Sequence, residues 1–166
     1  MVQNLTLIPE PLKGQMPETF LERMATIISR GVINMNLIDL ISYNNFLKKI
    51  FPDGIESNVL IGKLSLELGG RLALNIHTKQ KPAFEIAKWG KWGVDYNVIV
   101  IHALGGKGDI VNIKKWSKIE YAHLSINKNG SVYDLQQTGL HHELFFSVDV
   151  LTFQNCTTYL EQEDIL

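Results

Sequence analysis

Three residue types in the C-terminal half could do chemistry together: a cysteine, a histidine and a carboxylate. Cys156 is the only cysteine among 166 residues, and it follows Phe153-Gln154-Asn155. The chain there reads as a strand passing into a short helix over 157–163. A thiol at a helix N-terminus lies at the positive end of the dipole, which favours the thiolate. A histidine within reach would complete a Cys-His pair, and a third polar group would hold the imidazole. The same cysteine also reads as a small buried hydrophobe, the commoner fate of a free thiol.

The histidine comes from the sharpest local signal in the chain. Asn129-Gly130 is the preferred dipeptide of a type I′ turn, because both central residues need positive φ. With that dipeptide at the centre, Lys128 pairs with Ser131, Ile126 with Tyr133, Ser125 with Asp134, Leu124 with Leu135 and His123 with Gln136. Faces alternate along a strand. One face therefore holds Leu124, Ile126, Tyr133 and Leu135, and belongs on a core. The other holds His123, Ser125, Asn127, Val132, Asp134 and Gln136. Gln136 stands opposite His123, and Asp134 is its diagonal neighbour. A carboxylate stabilises an imidazolium, whereas an amide only orients the ring. Asp134 is thus the expected orienting residue and Gln136 the runner-up. A purely structural hairpin with one wet face has the same pattern.

Gly108-Asp109-Ile110-Val111, then Tyr121-Ala122-His123-Leu124-Ser125-Ile126, then Asn129-Gly130-Ser131-Val132-Tyr133-Asp134, resembles the core of NlpC-like papain-fold proteins. No cysteine precedes the Gly-Asp segment; the only one follows, in Asn155-Cys156. That order resembles the circularly permuted branch, which includes the lecithin:retinol acyltransferase-like proteins. The resemblance covers about residues 98–160. Two features depart from it: the acyltransferase-like members usually carry a second histidine where Asp134 stands, and their histidine-to-cysteine interval is longer than the 33 residues here.

The resemblance implies a permuted papain-like core and a cysteine-dependent acyl-transfer enzyme, a peptidase, amidase or acyltransferase. His123 would take the Cys156 proton, the thiolate would attack a carbonyl, and a thioester acyl-enzyme would pass to water or another acceptor. Backbone N–H groups near Cys156 would form the oxyanion hole. Tyr121 and Asn155, beside the histidine and the cysteine, are supporting candidates. No cofactor and no metal are expected, and the substrate would be a peptide, an amide or an acyl lipid. The alternative is a non-enzymatic binding or effector module on the same scaffold, meeting a protein partner through its N-terminal half.

The elements that must position these residues divide the chain at about residue 95. Residues 1–95 read as helical. Pro17, Glu18 and Glu22 suit a first helical turn, with Phe20, Met24, Ile27 and Ile28 at helical spacing and Gly31 closing. Leu37, Leu40, Ile41, Phe46 or Leu47, and Ile50 suggest a second helix, stopped by Pro52-Asp53-Gly54. Ser57 could cap a third carrying Leu60, Leu64 and Leu68, and 82–89 could form one more. Residues 96–166 read as strands: a continuous β-branched run at 98–101, then 109–113, 121–127, 131–136 and 143–153. The predicted fold class is α+β, a helical N-terminal half packed on a small antiparallel sheet in one compact domain.

Composition limits the partners. Sixteen basic and 17 acidic residues leave a net charge of −1, giving no electrostatic reason to expect nucleic acid. No apolar run approaches the ~20 residues of a membrane helix, and 1–14 lacks the pattern of a secretory signal. A cytoplasmic site, or delivery without a cleaved signal, is expected. His141-His142-Glu143 lacks the spacing that sets two metal ligands on one helical face, and reads as a solvated turn. Gly105-Gly106-Lys107-Gly108 reads as a turn rather than a phosphate loop. Trp89, Trp92 and Trp116 read as core residues, and His77 and His102 as hydrogen-bonded structural histidines.

Overall fold

Leu72, Leu74, Ile76 and Thr78 are buried, while Ala73, Asn75 and His77 between them are half-buried. That period of two belongs to a strand with one face on a core. The computed structural model describes residues 35–162, together with Thr19, Leu21, Glu22 and Ala25. In chain order the elements of 35–162 are α1 (Leu37–Leu40), β1 (Ile41–Ser42), α2 (Asn45–Ile50), β2 (Asn58–Glu67), β3 (Arg71–Thr78), β4 (Val98–Gly105), β5 (Val111–Lys114), a 3-10 turn (Trp116–Lys118), β6 (Ala122–Asn129), β7 (Val132–Thr138), β8 (Glu143–Val148) and β9 (Leu151–Tyr159).

The strands form one nine-stranded mixed sheet in the order β1-β9-β4-β3-β2-β6-β7-β8-β5. Only β1 and β9 run parallel. The predicted α+β fold, with its helical half and permuted papain-like core, is therefore incorrect. The reason is local. Leu60, Leu64 and Leu68 share helical spacing, but Val59 and Ile61 are the fully buried residues at the start of β2. Gly69 and Gly70, with φ of +80° and +73°, close a β2–β3 hairpin rather than interrupt a helix. The expected second helix breaks at Ile41 into α1 and α2, with Tyr43 at a φ of +58° between them. Residues 82–89 hold no helix, and the terminal helix expected from 157 is replaced by β9, which continues to Tyr159. The continuous run at 98–101 is a buried strand, as its composition predicts.

The sheet has two sections, β1-β9-β4-β3-β2 and β6-β7-β8-β5. The joint between them is short: only Asn58↔His123 and Val59↔Ala122 pair. Gln137 reinforces it. Its side-chain Nε2 donates to the Val59 carbonyl at 2.7 Å and the Ala122 carbonyl at 2.8 Å, one from each section. One apolar cluster draws on both, including Ile61, Leu74, Ile76, Ile99 and Ile101 from the first and Leu124, Ile126, Leu135, Leu144 and Phe146 from the second. Each such side chain, fully buried, stabilises the fold by about 1.5–3 kcal/mol. Asn36 caps α1 by accepting from the Ile38 N–H at 3.0 Å. It also accepts from the Ile55 N–H and donates to the Ile55 carbonyl, both at 3.1 Å, so one side chain ties α1 to the turn that precedes β2.

The chain divides into two compact units, 1–31 and 32–166. Within the first, Thr19 and Glu22 bond reciprocally, side chain to backbone, at 2.7 and 3.3 Å. This is a capping box with Thr19 as the N-cap, ahead of helical Leu21 and Glu22. Pro17, Glu18, Phe20, Met24, Ile27, Ile28 and Gly31, expected on the same helix, lie outside the described residues.

Candidate functional site

On β3, β4 and β9 the residues facing away from the core lie in register. Asn75 pairs with His102 and His102 with Asn155; His77 pairs with Val100 and Val100 with Thr157. Ala73, Leu104 and Tyr159 extend this outer face, whereas Val98 and Val100, of the same parity, are buried. None of these residues is Asp, Glu, Lys or Arg. Charged residues stand around them: exposed Lys63 on β2, Lys79 beyond β3, Glu161 beyond β9, and Arg71 with Glu67 at the hairpin end.

Two hydrogen bonds stiffen the face. His77 Nδ1 lies 3.1 Å from the Tyr159 hydroxyl, and His102 Nε2 lies 2.9 Å from Thr157 Oγ1. The His77 ring rests against Gly62, the extra residue where the β2–β3 register shifts; a Cβ at 62 would collide with Nε2. Burial holds the His77 pKa below its ordinary value, assisted by His102 and opposed by Glu161. Burial likewise lowers the His102 pKa, assisted by the Lys63 ammonium. Both shifts favour the neutral ring. At the margin Lys79 pairs with Glu161 and lies 4.8 Å above the centre of the Tyr121 ring. The Tyr121 hydroxyl is buried beside that of Tyr159 without a well-formed hydrogen bond, and burial raises its pKa.

The residues singled out from the sequence are dispersed. Cys156 lies inside β9 opposite Ile101, half-buried against the core, with no helix N-terminus behind it. Burial pushes its thiol up to about 12. His123 is exposed on the outer side of β6, four strand positions from β9, with Nδ1 2.8 Å from Ser57 Oγ. The structure does not bring Cys156 and His123 together. Asn155, beside Cys156, is exposed opposite His102 on the outer face. Tyr121 reaches the margin of the same face through Lys79.

The hairpin places the other two. Gly130, with φ of +60°, is the first residue between the paired Asn129 and Val132, as a type II′ turn requires. The turn thus centres one residue later than Asn129-Gly130 predicts, and every partner moves by two. Face membership is unchanged, but the pairs differ. Asp134 faces Asn127 rather than Ser125, and Gln136 faces Ser125 rather than His123. Asp134 now pairs four residues along β6 from His123, about 13 Å away. It is wholly buried, and Asn129 Nδ2 donates to its Oδ2 at 3.3 Å.

His141-His142-Glu143 is not one solvated turn. His141 is exposed, but His142 is buried with Nε2 3.2 Å from Gln137 Oε1, and Glu143 pairs with Lys114 at 2.6 Å. Among the described residues no group of three or more His, Cys, Asp or Glu is placed to hold a metal. Trp89 and Trp92 pack edge-on against buried Tyr96, with ring centres 5.8 and 5.2 Å apart, whereas Trp116 is exposed. The sequence reading missed the outer face because it placed 71–78, which form β3, in a helical region and not in a strand. The alternation of 71–78 was the available signal.

Comparison of the chain with protein-family models, with curated proteins and with solved structures found no match in any of the three. Among the described residues no helix is long and apolar enough to cross a membrane.

Proposed function

We propose that this protein is a non-enzymatic binding module that docks a protein partner on the outer face of β3, β4 and β9. The observation that carries the reading is the distribution of charge. Among the described residues the centre of the face holds Asn75, His77, His102, Thr157 and Tyr159 and no Asp, Glu, Lys or Arg, while Lys63, Lys79, Glu161 and Arg71 stand at its rim. Protein interfaces have this anatomy, with charge depleted at the centre, aromatic residues enriched there and a polar rim. Half-exposed Leu104 adds an apolar contact, and the two histidine hydrogen bonds hold the rings in place before binding, which reduces the entropy lost on docking.

The test is quantitative binding to a partner recovered on the wild-type chain and then purified. Asn75→Glu and Leu104→Glu each add a carboxylate to the outer face without touching the core. Each should weaken the purified complex about tenfold or more. Binding unchanged in both variants refutes the docking face.

A further inference from the structure

Among the described residues strand β9 has a neighbour on its outer side only at its start, where Leu151 and Thr152 pair with Ile41 and Ser42. Among the described residues no strand lies beyond 153–159. Exposed edges are usually blunted by charge, by proline or by a bulge. From Leu151 to Tyr159 there is no Asp, Glu, Lys, Arg or Pro. The register of β9 on β4 shifts between Phe153 and Asn155, and 155–159 runs regularly beyond that shift. The bulge thus interrupts the first part of the edge and leaves five residues in regular register.

Backbone alternation fixes which groups point outward. The Tyr159 carbonyl accepts from the Asn97 N–H at 3.1 Å, toward β4. Thr157 points its N–H and C=O the same way, so those of Cys156 and Thr158 face away from the sheet. This row is a template for strand addition. We infer that it pairs antiparallel with β9 of a second copy of this chain, about a two-fold axis at Thr157. In that register Cys156 of each copy faces Thr158 of the other as a hydrogen-bonded pair, giving four backbone bonds. Thr157 meets its own copy, and Asn155 meets Tyr159. The parity is correct: Asn155, Thr157 and Tyr159 share the outer face, and Cys156 and Thr158 share the inner one. A two-fold axis at Thr157 sets any charge at that position against its own copy, so an uncharged residue there suits self-pairing where a charged one would repel itself. The dimer joins the two outer faces into one continuous sheet surface, a consequence independent of what docks there.

The test is sedimentation velocity over a concentration series into the high micromolar range, with amide exchange read at Cys156 and Thr158. The wild type should shift toward twice the monomer mass, and both amides should gain protection as concentration rises. Thr158→Pro removes an outward N–H while leaving the β4 bonds, and should stay monomeric. Thr157→Lys and Thr157→Glu should each dimerise at least tenfold more weakly alone, and their mixture should recover the dimer. A wild type that is monomeric throughout overturns the inference. So does a dimer that forms without protection of the two amides, a measurement that needs no variant to fold.

Discussion

His77 Nδ1 and the Tyr159 hydroxyl lie 3.1 Å apart, joining β3 to β9 over the intervening β4. The bond is possible because the strand beside it carries glycine: the ring occupies the space that a side chain at Gly62 would fill. Gly62→Ala should push the ring away and break the bond while leaving the fold intact, because the clash is with a side-chain end. Imidazole NMR resonances should then show a His77 pKa moved toward its ordinary value of 6.5. An unchanged titration would mean that the ring position does not depend on Gly62.

The two lowered histidine pKa values set a pH dependence of stability. The folded chain disfavours protonation of His77 and His102, so the unfolded chain binds protons first as pH falls. The neutral rings contribute fully above 6.5, and their contribution is lost progressively below it. Urea midpoints should fall between about pH 7.5 and about pH 5.5. The fall should be smaller in a His77→Gln/His102→Gln variant; an equal fall would place the dependence elsewhere.

Cys156 tests the meaning of the thiol. With its pKa pushed up to about 12 by burial, almost none of it is thiolate near neutral pH. Iodoacetamide should label the folded chain slowly, at a rate indifferent to His123→Ala, and should label it rapidly once urea unfolds it. Fast labelling of the folded chain, slowed by His123→Ala, would restore a thiol–imidazole pair.

Gln137 tests the joint between the two sections of the sheet. Gln137→Leu keeps the volume and leaves the Val59 and Ala122 carbonyls and the His142 ring without their partner. The expected loss is about 2–5 kcal/mol in chemical denaturation. A loss below about 1 kcal/mol would show that the short β2–β6 pairing holds the sections without help.

The strand half was legible where chemistry is local. The β-branched run at 98–101, the hairpin at Gly130 and the division of its residues between two faces all follow from side-chain type and turn preference. Register was not legible to better than one residue, because Gly130 suits either the second place of a I′ turn at Asn129-Gly130 or the first place of a II′ turn at Gly130-Ser131, and that shift separates Asp134 from His123. Residues 57–78 were misread because Leu60, Leu64 and Leu68 fit a helical period as well as a strand interrupted by a bulge at Gly62. The outer face depends on pairing between strands distant in the chain, such as His102 with Asn155, which no local pattern encodes.

The most direct measurement of the docking face is a photocrosslinking scan of the full chain in its native cells. Benzoylphenylalanine would be placed at Asn75 and Leu104 on the face, and at exposed Ile113 on β5 as the control. The same protein partner should be captured from Asn75 and Leu104 and not from Ile113, and once purified it should bind the wild type and lose affinity for Leu104→Glu. A partner captured from Ile113 alone, or one whose affinity Leu104→Glu leaves unchanged, would contradict the assignment of the outer face as the binding surface.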